Sequence, residues 1–288
     1  MRLTKHHGWG NDFLVLLDPA GDQPVDAALA RVLCDRRLGV GADGLIRVTA
    51  GGAGADVTME LRNADGSRAE TSGNGLRCLA QAVVDAGLAA PHFVVGTDAG
   101  PRGVEVCPTD QPGVVRVRVE MGHPRLLGGD GEGGDRGGAP DGGDGGGPGA
   151  RQRVDMGNPH LVVLGPDPAT VAVGRLGPQL EAAAPGGTNV EFLAPGPGPD
   201  EVTIRIWERG VGETPACGTG ACAAAAAAHR WGLVGDRVTV HQPGGSAEVE
   251  LGPAGAVLRG PAQFVAAIEV AREVAREGAR VVGKVPAR

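Results

Sequence analysis

Residues 208–251 read ERGVGETPACGTGACAAAAAAHRWGLVGDRVTVHQPGGSAEVEL, and they align without a gap on residues 63–106, NADGSRAETSGNGLRCLAQAVVDAGLAAPHFVVGTDAGPRGVEV. Ser72-Gly73-Asn74-Gly75 falls on Cys217-Gly218-Thr219-Gly220, Gly87-Leu88 on Gly232-Leu233, and Gly100 on Gly245. Each segment predicts a glycine turn, a helix, a glycine stop and two strands joined by a turn. Upstream, GNDFLVLL (10–17) resembles GNPHLVVL (157–164), which sets Asn11 over Asn158 at the head of a buried strand. Self-similarity on this scale marks a repeated structural unit. The expected fold is a duplicated α/β unit.

The turn and helix carry a chemical expectation. An x-G-x-G turn entering a helix aims successive N–H groups and the positive end of the macrodipole at one point, which suits a carboxylate. Glycine lets the ligand come close. The same positive end lowers a thiol's pKa, so Cys217 is expected to be partly thiolate. Alanines 223–228 keep the second helix slim, so that a sheet can wrap it tightly. With the halves facing each other, two helix N-termini meet at one α-carboxylate, with Ser72 on one face of the α-carbon and Cys217 on the other. A two-base racemase or epimerase needs that arrangement. Glu208 and Arg209, in IRIWERG, are candidates for a counter-charge to a substrate ammonium and a clamp for a second carboxylate.

Bulk composition narrows the classes. The chain has 288 residues, 41% of them apolar, and a formal net charge of −7. Its basic residues are scattered singly and no aromatics interleave them, which argues against nucleic acid and for a small polar metabolite as partner. No apolar run is long enough for a membrane span, and MRLTKHHGWGNDF lacks the apolar stretch of a signal peptide, so a cytoplasmic location is expected. Cys34, Cys78, Cys107, Cys217 and Cys222 are an odd set in a long chain, expected to be reduced, with Cys34, Cys78 and Cys107 simply packed. Only Lys5 and Lys284 occur, leaving a pyridoxal-phosphate Schiff base almost nowhere to form, and no cofactor is expected. Cys217 and Cys222 lack the spacing and partners of a zinc site, and no metal is expected. GVGADG (39–44) fits G-x-G-x-x-G, but a helix precedes it and a strand follows, the reverse of a dinucleotide fingerprint.

HGWGNDF (7–13), DRRLGVGADG (35–44), RNADGSRAE (62–70), SGNGLRC (72–78), DMGNPH (155–160), TNVEF (188–192) and WERGVGETPACGTGACA (207–223) together resemble the diaminopimelate epimerase family. The resemblance implies α/β (α+β) architecture with two pseudo-symmetric domains, each a barrel-like sheet around a central helix, and a homodimer. Domain bounds are expected at 1–118, completed by about 262–275, and 119–261, with a disordered Gly-rich insertion at 128–150 and a tail at 276–288. It implies cofactor-independent epimerisation of LL- to meso-diaminopimelate. Asn11, Asn63, Asn158, Asn189, Glu208 and Arg209 match substrate-contacting positions, the backbone at Gly73-Asn74 and Gly218-Thr219 matches the α-carboxylate cradle, and Cys217 matches one catalytic cysteine.

Two positions depart from the family pattern. Ser72 stands where the family has its other cysteine, and a hydroxyl needs a neighbouring base, for which His160 and Glu208 are the candidates. Gly44 stands where many members carry a substrate-contacting glutamine, leaving Asp43 or water to serve. The alternative functions are a racemase, isomerase or lyase on another amino acid using the Ser/Cys pair, or a catalytically silent ligand-binding relative.

Overall fold

The computed structural model describes residues 1–52, 54–127 and 149–271. Most of the Gly-rich tract at 128–150 and the whole tail at 276–288 therefore lie outside the described residues. The chain divides into two compact units, the first Met1–Val119 with Pro261–Arg288, the second Glu120–Gly260. Strands β1 (Arg2–Gly8), β2 (Asn11–Leu17), β3 (Gly44–Ala50), β4 (Val57–Asn63), β5 (Arg68–Ala69), β6 (His92–Thr97), β7 (Gly100–Pro108) and most of β8 (Val114–Gly122) belong to the first unit, with helices α1 (Ala27–Cys34) and α2 (Gly73–Asp85). The second holds β9 (Arg125–Leu127), β10 (Arg151–Asp155), β11 (Pro159–Leu164), β12 (Asn189–Pro195), β13 (Glu201–Glu208), β14 (Gly212–Thr214), β15 (Arg237–Gln242), β16 (Gly245–Gly252), the start of β17 (Gly255–Glu269), and helices α3 (Val173–Ala183) and α4 (Gly218–Arg230).

Pairing repeats between the units. In the first, β1 and β2 are antiparallel, β2 and β3 parallel, β3 and β4 antiparallel, β4 and β6 parallel, and β6, β7 and β8 a meander. In the second, β10 to β16 repeat the pattern, with β11–β12 and β13–β15 as the parallel pairs. Both sheets curl around a helix. Alternation decides which side chains face it: Leu14, Leu16 and Leu45 pack with Leu29 and Leu33 of α1, so their neighbours Phe13, Val15 and Ile46 turn to the opposite face, toward α2.

The two central helices have 13 residues each and share their ends. Ser72 Oγ accepts from Gly75 N–H at 3.0 Å, and Cys217 Sγ from Gly220 N–H at 3.3 Å, both from extended N-cap backbone. At the other end Gly87 and Gly232 take φ of 67° and 73°, and Leu88 and Leu233 N–H reach back to Val83 and Ala228 carbonyls. These are αL stops that a Cβ would strain. Their bodies differ. α2 buries Leu76, Cys78, Leu79 and Val83, whereas α4 is buried alanine from Ala223 to Ala228, against larger strand residues such as Val162, Ile204, Ile206 and Val240. Cys34 and Cys78 pack as expected, and burial pushes both thiols up to about 12. Cys107 does not pack: it lies near the end of β7 and is exposed.

Candidate active site

In the first unit, the α2 N-terminus rests on a buried polar lattice. Arg77, with no exposed surface, donates Nη2 to Asn74 Oδ1 at 2.5 Å and Nε to Pro261 O at 3.0 Å, and its guanidinium lies 4.1 Å from the Trp9 ring centroid. Asn74 Nδ2 donates to Asn11 Oδ1 at 3.0 Å, and Asn11 Nδ2 to Asp43 Oδ2 at 2.8 Å. Asp43 in turn accepts from Arg36. Asn11 and Asn74 are thus brought together with their amides fixed, and Ser72-Gly73 sits directly before Asn74. Asn63, at the end of β4, donates Nδ2 to Ser67 Oγ at 3.1 Å and pairs across the ladder with Gly44. A Cβ on Gly44 would stand 3.0 Å from the Phe13 ring and 2.9 Å from Arg62 O. The aromatic ring takes the space that a glutamine stem would enter, and the Asp43 carboxylate is already occupied.

In the second unit, the residues form a connected chain. Glu191 Oε1 meets His160 Nδ1 at 2.7 Å, with both side chains fully buried. His160 Nε2 faces Asn158 Oδ1 at 3.0 Å, Asn158 Nδ2 donates to Thr219 Oγ1 at 3.5 Å, and Thr219 Oγ1 lies 3.4 Å from Cys217 Sγ. The parallel β11–β12 register builds this, because His160 lies opposite Asn189 and Val162 opposite Glu191, so that the i, i+2 pairs Asn158/His160 and Asn189/Glu191 share one face. Asn189 braces the rim: Nδ2 donates to Pro159 O at 2.9 Å, and Oδ1 accepts the Arg209 N–H at 3.0 Å. Glu208 accepts from the Thr214 hydroxyl, and Gln242 Oε1 accepts the Cys217 N–H at 2.8 Å. None of the three asparagines at 63, 158 and 189 has a positive φ. Their side-chain bonds explain them.

The acidity expected of Cys217 is reversed. Burial pushes its thiol well above the usual range, the charges of Glu208 and Glu191 push the same way, and the bonds from Thr219 and Gly220 only partly oppose them. One helix N-terminus does not outweigh desolvation beside two carboxylates. These effects favour the thiol over the thiolate at Cys217. Sequence reading also passed over Glu191, Arg77 and Gln242. A charged residue on the inward face of an otherwise apolar strand, as in TNVEF, is the signal that picks out Glu191.

Among the described residues no group of three or more His, Cys, Asp or Glu side chains could hold a metal ion, and no helix is long and apolar enough to cross a membrane. The sequence profile of the family described as diaminopimelate epimerase matches residues 3–127 and 153–265. The diaminopimelate epimerase of Mycolicibacterium paratuberculosis is 41% identical over 299 residues, covering 95% of this chain and 98% of that protein. That of Desulforudis audaxviator is 45% identical, covering 92% and 97%. Among solved structures, a predicted epimerase of Pseudomonas aeruginosa superposes with a TM-score of 0.69 at 18% identity over 93% of this chain and 98% of that one. A hydroxyproline epimerase of Agrobacterium vitis, with bound trans-4-hydroxy-L-proline, gives 0.67 at 18%, over 94% and 90%. These two likenesses speak for the fold. With the profile spanning both halves and relatives of this identity matching nearly end to end, the chain belongs to the diaminopimelate epimerase family.

Proposed function

We propose that this protein interconverts LL- and meso-diaminopimelate without a cofactor, exchanging the α-proton through Cys217 and Ser72. The observation that supports it best is the pair of matched helix N-termini, each opened by a glycine turn and capped by one of these two side chains. The N–H groups of Gly73-Asn74 and Gly218-Thr219 hold the α-carboxylate. As the Cα–H bond breaks, its proton forms an S–H bond on the Cys217 thiolate, and a proton from the Ser72 hydroxyl forms the new Cα–H bond on the opposite face. The reverse direction starts from the S–H form that burial favours. Forward transfer needs the thiolate, and a substrate ammonium paired with Glu208 removes one of the charges that disfavour it. Ser72 needs a partner to exchange its proton. Glu208 and His160 are the two candidates for that partner, and both already carry hydrogen bonds within the second unit. Asn11, Asn63, Asn158, Asn189 and Arg209 bind the substrate, and the protein works as a cytoplasmic homodimer.

The test is to incubate the enzyme with LL-diaminopimelate in deuterated water. Deuterium at the α-carbon with inversion to the meso form supports the reading. Exchange or elimination without inversion points to a one-sided isomerase or lyase, the outcome that the serine at position 72 makes worth distinguishing. Binding without exchange would mark a silent relative.

A further inference from the structure

The two units differ most where they are otherwise most alike. A Cβ placed on Gly75 would lie 3.3 Å from Ile46 and 3.4 Å from Ser72 Oγ; one on Gly220 would lie 2.6 Å from Glu191 Oε1 and 3.3 Å from Cys217 Sγ. Likewise Phe13 of GNDF aligns with His160 of GNPH. The position beside the serine cap is thus filled by Ile46 and Phe13, and the same position beside the cysteine cap by a fully buried carboxylate and imidazole. Burying a carboxyl group and an imidazole here is costly, and among the described residues Glu191 Oε2 has no hydrogen-bond partner to offset it. Packing alone would favour the apolar version.

We propose that Glu191 is a positioning residue for the proton transfer at Cys217, setting the direction in which donors point along Glu191, His160, Asn158 and Thr219. This role rests on the epimerase reading above. His160 Nδ1 faces Glu191 Oε1 and Nε2 faces Asn158 Oδ1, so in this amide orientation Nε2 is the donor to Asn158. With Nε2–H donating to Asn158 Oδ1, the amide must turn Nδ2 toward Thr219. The Thr219 oxygen then accepts, and its own proton is free for the sulfur of Cys217, which is the arrangement a thiolate requires. Were Nε2 an acceptor, the amide would reverse, Thr219 would donate to Asn158, and its oxygen would accept the S–H proton instead. Glu191 therefore biases which of the two sulfur states its neighbours solvate, and nothing equivalent acts on Ser72 from its own unit's strands β2 and β3.

A double-mutant cycle separates this from simple repulsion between Glu191 and the thiol. Glu191→Gln, Thr219→Val and the double variant are compared by the pH midpoint of iodoacetamide alkylation at Cys217, with no substrate present, and by kcat and KM on LL-diaminopimelate. Relayed through Thr219, the midpoint shift caused by Glu191→Gln falls to less than about half in the Thr219→Val background, and kcat drops about tenfold or more in Glu191→Gln while KM changes less than about threefold. Fully additive midpoint shifts mean that the carboxylate acts through space alone, and overturn the proposal. So does a Glu191→Gln enzyme that keeps wild-type kcat. Should Glu191→Gln not fold, His160→Gln, which breaks the same relay one step on, replaces it in the cycle. Wild-type protein inactive on diaminopimelate would sink the functional reading and leave the alkylation cycle to decide this one.

Discussion

At the scale of single residues, the asymmetry between Ser72 and Cys217 is the feature most open to experiment. Both atoms cap a helix from the same backbone conformation, and the Cys217 cap shows that sulfur is accommodated there at 3.3 Å from the N3 amide. Ser72→Cys should therefore fold normally. On the epimerase reading it raises turnover, each tenfold gain corresponding to about 1.4 kcal/mol off the barrier. A Ser72→Cys protein slower on diaminopimelate would mean that the site is built around a hydroxyl. Cys217→Ala should abolish turnover yet retain binding of the α-carboxylate, since the amides of Gly218 and Thr219 remain; the check is substrate affinity by calorimetry alongside the rate. Gly220→Ala makes a third case. Replacing glycine inside a helix ordinarily stabilises by roughly 0.5–1 kcal/mol. Here the new methyl would meet Glu191 Oε1 at 2.6 Å, an atom held by His160, so the variant is expected to lose about 1–3 kcal/mol in denaturant unfolding. A gain in stability would show that the carboxylate moves freely.

Among elements, the two central helices show how far the sequence could be read. Their glycine turns, stops and flanking strands were legible because each is dictated locally: the helix starts by Ser72-Gly73-Asn74-Gly75 and Cys217-Gly218-Thr219-Gly220, and the helix ends by Gly87 and Gly232. Asn11 and Asn158 were legible from the repeat itself. What local rules cannot show is a partner brought by another strand. Phe13 closing over Gly44, Arg77 under Asn74, and Glu191 behind His160 all depend on parallel register or on burial, and the thiol's acidity was misjudged because desolvation is a property of the packed unit. The alanine run was read correctly as slimness, and the packing makes it testable. Ala225 is wholly buried, on a helix packed against β10 to β13, β15 and β16. Ala225→Leu keeps nearly the same helix propensity but overfills the space, and should cost about 1–3 kcal/mol, read as a lowered denaturation midpoint with unchanged slope. Little or no loss would mean that the sheet around α4 has slack.

For the whole molecule, acid sensitivity should arrive in two steps, the first set by His6. Burial lowers the pKa of this histidine below 6.5, a hydrogen bond from its ring to Gln81 only partly offsetting that, and its ring ties β1 to α2. Above 6.5 it is neutral both folded and unfolded and contributes no pH dependence. Below 6.5 the unfolded chain takes up the proton first, so stability falls with pH until the folded value is reached. The second step lies lower. Burial pushes Asp12 and Asp18 up, but bonds from Arg36 and Lys5 to Asp12, and from the Gln23 and Asp22 N–H groups and Arg47 to Asp18, bring both below their ordinary 3.8. Their contribution is complete above 3.8 and is lost as pH falls through the folded values. A melting series from pH 8 to 3 should thus be flat at its upper end, decline below 6.5 and decline again below 3.8. His6→Gln, which can keep a bond to Gln81, should remove the first decline and leave the second in place. If its melting temperature falls between 6.5 and 5 as steeply as that of the parent protein, a different group controls the first step.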